Sequence, residues 1–278
     1  MSPLGFYMMM WYPIPLRSEF FAYQQTDQQA ISRPLQAFWS WLQPPSEMMQ
    51  SYIALLIKRQ WVWKYIPWVQ SVYIANSLTF NAVRENSNID FFIVTGNRRL
   101  WTTHVLVKIL FFIIRLREKQ WSRALRFSAD FFVTQETQDL SRILLTPSDP
   151  YLVYWLAHLV PYYHRDFVLY DSIYEENKRL QYYLPGFPFR QTIFLWIDVL
   201  IWNSVVKRFG ERIMYSLFGV GVEYGAKVCS LLFLRWKKYR SPALVPHIRI
   251  APWLYKSYDD KRKWYALQRE VYKKTDKK

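Results

Sequence analysis

Residues 85–95 read ENSNIDFFIVT. Three small polar residues and an acid lean directly on a run of apolar β-formers. The run DFFIVT (90–95) is apolar at consecutive positions, so it reads as a central strand covered on both faces. Gly96–Asn97 follows as a turn signal. The stretch from Arg98 to Arg117 has the spacing of a long amphipathic helix, with Val105, Ile109, Phe112 and Ile113 on one side. Upstream, VQSVYIANS (69–77) is rich in β-formers and reads as a strand, and downstream FSADFFVT (127–134) reads as another.

Around this β-rich centre the composition changes. The segment MMQSYIALLIKRQWVWKY is expected to be a helix ending near Ile66–Pro67, because proline disfavours helix in the residue before it. PSDPYLVYWLAHLVPYY (147–163) reads as a helix, and YDSIYEENKRLQYYL as another that stops at Pro185–Gly186. Two or three longer helices are expected across 190–240. The expected class is α+β. A small mixed β-sheet with helices in a core over 61–140 is flanked by an N-terminal helical segment (1–60) and a C-terminal helical region (141–278).

A hydrophobic fraction of 51% and an aromatic fraction of 19% provide for a substantial core and exclude disorder over most of the length. No Gly-rich phosphate loop is present. The run GVGVEYG (219–225) lacks dinucleotide-site spacing and reads as close helix packing or a bend. The formal charge of +16 favours polyanionic partners: nucleotides, RNA or another nucleic acid, or an anionic membrane surface. A single cysteine, Cys229, excludes an intramolecular disulfide and suits a reducing compartment. The apolar N-terminus lacks a basic region and makes a poor signal peptide. No stretch is a clean spanning helix. The expectation is a soluble, cytoplasmic chain with no transmembrane segment.

The acids carry the chemistry. Asp90 stands at the first position of a rigid strand, a place suited to holding a cation. Ser77 closes the preceding strand, where backbone N–H groups at a helix start favour anions. Asp130 lies inside FSADFFV, where a carboxylate is costly unless paired or metal-bound. Asp90 could equally be a strand-end acid paired with Arg98 or Arg99. The histidines at 104, 158, 164 and 247 lack ligand spacing and read as structural or surface residues. The cluster Arg115, Arg117, Lys119, Arg123 and Arg126 reads as a solvated charge run, or as a receiver of triphosphate or an RNA backbone if it lies beside the acids.

Taken together, Asn76–Ser77, ten residues, and Asn88–Ile89–Asp90 followed by FFIV resemble the signature of the DNA polymerase β-like nucleotidyltransferase superfamily. That signature is Gly-Ser, about ten residues, then Asp-hydrophobic-Asp at a strand. Longer pieces, IPWVQSVYIANSLTF (66–80), NSNIDFFIVTGNRRLW (86–101), RFSADFFVT (126–134), DPYLVYWLAHLVPYY (149–163) and ENKRLQYYLPGF (176–187), resemble a bacterial branch of uncharacterised nucleotidyltransferase-domain proteins. Likeness in YPIPLRSE (12–19) hints at a degraded winged helix.

The resemblance implies Mg²⁺- or Mn²⁺-dependent transfer of a nucleotidyl group from an NTP to an acceptor hydroxyl. Asp90 and Asp130 would be catalytic. Asn88, Asp90 and Asp130 would hold metal, and Asn76, Ser77 and Arg99 would bind nucleotide. Two dications about 4 Å apart repel by roughly 17 kcal/mol at an effective dielectric of about 20, so such a site needs several acids. Asn88 departs from the pattern: an amide offers a carbonyl oxygen but no charge. The same fold without catalysis, binding nucleotide or nucleic acid, is the alternative. A membrane-surface protein is a third reading.

Overall fold

The computed structural model describes residues 47–79, 83, 87–117, 126–144, 152, 155, 156, 158–166, 172–183, 199–202, 204–213, 217–240 and 249–256. The strands are β1 (Val69–Ala75), β2 (Ile89–Thr95), β3 (Phe127–Thr134), β4 (Val160–His164), β5 (Leu200–Ile201), β6 (Arg249–Ala251) and β7 (Leu254–Lys256). The α-helices are α1 (Glu47–Arg59), α2 (Leu100–Arg117), α3 (Ser172–Asn177), α4 (Val205–Ile213) and α5 (Leu217–Arg240). The strands form one seven-stranded sheet in the order β5-β4-β1-β2-β3-β7-β6. The chain is therefore mixed α+β with a mixed sheet, since β2–β3 and β4–β5 are parallel and the other pairs antiparallel.

β1 and β2 sit at the centre because they can be covered on both sides. Every residue of β1 is buried, and in β2 only Asp90 keeps partial exposure. Alternate side chains feed two cores. Tyr73, Phe92, Val94, Phe131 and Val133 pack with Leu152, Trp155, Leu156 and Tyr174 on one face. Val72, Ile74, Ile89, Phe91 and Ile93 pack with α1, Trp63 and α2 on the other. Edge-to-face and stacked rings lock both layers: Phe92 lies 5.5 Å from Trp155, and Trp63 lies 5.2 Å from Phe91. Parallel β2 and β3 require a crossover, and α2 supplies it.

The region 141–278 is not simply helical. It holds four strands of this same sheet: β4 pairs with β1, and β7 with β3. The expected helix over 147–163 gives way to β4 at Val160–His164. VPYYH carries β-branched and aromatic residues that fit a buried pleated surface, and all five are buried between β1 and β5. The helix expected from Met48 to Tyr65 is α-helical to Arg59 and then tightens to a 3₁₀ turn over Gln60–Lys64. Of the N-terminal segment 1–60, with its hinted winged helix, residues 1–46 lie outside the described residues. The glycines of GVGVEYG fall inside α5. A Cβ at Gly221 or Gly225 would meet nothing within 4 Å, so close packing explains neither.

Candidate functional site

The antiparallel register pairs Ala75 with Asp90. Asn76, the next residue, therefore lies beside Asp90 at the same end of the sheet. Asn76 has φ 62°, the left-handed region that only Gly, Asn and Asp enter readily. That gives a physical reason for either Gly or Asn at this turn. The Asn76 amide donates to Asp90 Oδ2 at 2.8 Å, while its carbonyl oxygen accepts from the Trp155 indole at 3.0 Å. These two bonds fix which way the amide points. Ser77 follows, partly buried, in the 3₁₀ turn Asn76–Leu78, a turn rather than the start of a long helix.

Asn88 precedes β2 and donates to Asp90 Oδ1 at 2.5 Å. The segment is tethered from behind, where Tyr52 Oη of α1 donates to the Ser87 carbonyl at 2.8 Å. Both Asp90 oxygens thus face amide donors rather than cations. Burial is the main cause that pushes the Asp90 carboxyl up to about 7, with the charge of Asp130 adding to it. The hydrogen bonds from Asn76 and Ser128 and the charge of Lys108 pull the other way.

Asp130 reaches the same neighbourhood by an irregularity. β2 and β3 are in register from Asp90↔Ser128 to Phe91↔Ala129, then resume at Phe92↔Phe131. Asp130 is the extra residue at that shift, the kind of bulge that re-aims a side chain. It forms an ion pair with Lys108 of α2 at 2.8 Å, and accepts from Ser128 Oγ at 2.7 Å. Ser128 stands between the two acids. Their other partners come from opposite sides: Asp90 from the Asn76–Trp155 layer, Asp130 from α2.

Arg99 is not part of this group. It follows the far end of β2, is buried, donates to the Gly219 carbonyl at 2.6 Å and lies over the Trp68 ring. An Asp90 pairing with Arg98 or Arg99 is likewise not what the structure has, because β2 separates them. Of the basic cluster, Lys119 and Arg123 lie outside the described residues. His104, His158 and His164 are buried, and burial lowers His104 to about 3. His247 lies outside the described residues.

Sequence reasoning missed Lys108 and Ser128. Lys108 had a signal, being the lone charge in the apolar stretch 104–114. Ser128 had none beyond lying two residues before Asp130. Clefts of about 410 and 320 Å³ lie elsewhere, one beside Asp139 and Glu175, the other between Pro67 and Val222.

Chemically, the site has two carboxylates, one of them neutralised by a lysine and the other held by two amides. Among the described residues no three His, Cys, Asp or Glu side chains converge. That donor set does not fit a pair of Mg²⁺ ions, which need several anionic oxygens between them. It offers one carboxylate whose ionisation burial opposes, held by side-chain hydrogen bonds. No family model, curated protein or solved structure matches this chain.

Proposed function

We propose that the chain is a nucleotidyltransferase-like protein that binds a nucleoside triphosphate at the Asp90 end of the sheet, with nucleotidyl transfer weakened by Asn88. The observation that carries the reading is the meeting, on three adjacent strands, of the Asn76–Ser77 turn, the Asn88–Asp90 pair and the Ser128–Asp130 pair. Ser77 and the turn amides take the terminal phosphates, since backbone N–H groups favour anions. Among the described residues, Asp90 would be the acid to hold a Mg²⁺ or Mn²⁺ ion that arrives with the triphosphate. The +16 charge suits a nucleotide and an RNA acceptor. A cytoplasmic location goes with the reading, since the lone Cys229 fits a reducing compartment.

A second reading, an active transferase using Asp90 and Asp130 together, is favoured by one observation. The charge on Asp130 acts on the Asp90 carboxyl, so the two acids are within electrostatic reach. Transfer of label from α-labelled NTPs into RNA and protein acceptors separates the two. The native chain is compared with Asn88→Asp and Asp90→Ala, and nucleotide affinity is measured in parallel. Under the first reading the native chain binds nucleotide and transfers little, and Asn88→Asp raises transfer. Strong native transfer lost in Asp90→Ala supports the second. Absence of nucleotide binding in every variant removes both.

A further inference from the structure

α5 is inverted relative to an ordinary surface helix. The residues it turns inward recur in steps of three or four: Gly219, Glu223, Ala226, Ser230 and Leu234. Most of these are small or polar, and they serve α2. Glu223 accepts from the N–H groups of Trp101 and Thr102, and Ser230 meets His104 at 3.1 Å. The outward side carries the apolar residues instead. Tyr224 is 68% exposed, Leu232 58%, Trp236 52% and Tyr239 87%, with Val220 and Leu231 beside them. α2 runs alongside with the same polarity, since residues 99, 102 and 104 meet 219, 223 and 230 in order. Its C-terminal half adds exposed Ile109, Phe112 and Ile113 at the same end.

The charge of this helix pair has one sign. α2 carries Lys108, Arg115 and Arg117, and α5 carries Lys227, Arg235, Lys237, Lys238 and Arg240. Lys108 is taken up by Asp130, and the other seven bases stand against Glu223, which is turned inward as a cap. An aliphatic and aromatic face on helices this rich in Lys and Arg has the chemistry of a helix that lies in the bilayer interface. No helix among the described residues is long and apolar enough to cross a bilayer. A second copy docked on the same face would bring like charges together. An RNA would make no use of Val220, Leu231 and Leu232, which have neither a stacking plane nor a donor.

We infer that the outward face of α5, with the end of α2, docks on an anionic lipid surface. The inference is independent of the nucleotide site. The test is co-sedimentation of the full chain with phosphatidylcholine vesicles and with vesicles that also contain phosphatidylserine, at low and high salt. The native chain is expected to pellet with the anionic vesicles and to be released by salt. The double variant Leu232→Glu/Trp236→Glu, on exposed positions, should melt as the native chain does and lose at least about tenfold in vesicle affinity. If it melts early, Tyr239→Glu serves in its place. Three results overturn the inference: no pelleting of the native chain with anionic vesicles, pelleting that the variants leave unchanged, or variants that instead convert a dimer to a monomer or abolish RNA binding.

Discussion

The two ends of the central strand β2 treat charge differently. At the far end Arg99, Arg165, Lys207, Glu211 and Glu223 meet fixed partners. The Arg165–Glu211 ion pair closes at 2.8 Å, and Glu211 Oε1 also accepts from the Trp68 backbone N–H at 2.7 Å. Lys207 of α4 donates to the Val69 carbonyl and to Tyr163 Oη, and burial lowers it to about 7 against the opposing pull of Glu211. Arg99 and Glu223 bind backbone groups at the ends of α5 and α2. At the near end, Asp90 is held by side chains, the amides of Asn76 and Asn88 and the Ser128 hydroxyl. Backbone partners cannot turn away without unfolding, whereas side chains can. Charge at the far end is therefore scaffolding, whereas the Asp90 carboxyl at the near end can exchange side-chain partners for a ligand.

The contrast can be broken most severely at Glu211. Glu211→Ala strips an acceptor from the Trp68 N–H and leaves Arg165 and Lys207 without their counter-charge. Removing one partner of a buried pair costs about 3–5 kcal/mol. The expected outcome in urea is a large drop in the midpoint with an unchanged slope.

Asp90 should act in the opposite sense. Its carboxyl sits near 7 in the folded chain against 3.8 ordinarily. The stability it contributes is present below the ordinary value and is lost as pH rises through about 7. The full shift corresponds to about 4 kcal/mol, and partial exposure reduces this to on the order of 2 kcal/mol. Asp90→Asn is expected to match the native chain near pH 4 and exceed it near pH 8, as read by denaturant melts at the two pH values. A native–variant difference that does not change with pH would falsify the account of this end.

Two smaller changes sharpen the comparison. Glu223→Ala removes the acceptor from two N–H groups at the start of α2 and from Thr102 Oγ1. It should cost about 1–2 kcal/mol in thermal or chemical melts, the worth of a charged cap. Asn76→Gly keeps the φ of 62° but takes the acceptor from the buried Trp155 indole, and should cost about 1 kcal/mol. It removes one amide from Asp90, so the pH at which the carboxyl titrates should move upward, a shift that carboxyl NMR titration would detect.

How much of this was legible in the sequence depended on how local the cause was. β2, β3 and α2 were readable because unbroken apolar runs and helical spacing declare themselves within a few residues. The meeting of Asn76 with Asp90 followed from two strands and a register. β4 was misread because VPYYH is too short to show a period, and its strand form depends on β1, about ninety residues earlier. The three-residue strand β7 depends on β3 in the same way, and β6 on β7. Lys108 pairing with Asp130 required the register shift, and no spacing rule announces that an extra residue will be accommodated there. Arg99 was misplaced because proximity in sequence to Asp90 hides a strand that carries the two residues to opposite ends of the sheet.

The place of β7 has a consequence for synthesis. β1, α2, β2 and β3 are contiguous over 69–134 and pair with near neighbours, so they can form as soon as that stretch has emerged from the ribosome. β3 then waits. Its outer edge is closed only when Phe131 meets Lys256, more than a hundred residues later. At roughly 5–20 residues per second, a β-rich edge containing FFVT stays open for several seconds of translation. That interval is when the nascent chain is most exposed to edge-to-edge pairing with another copy.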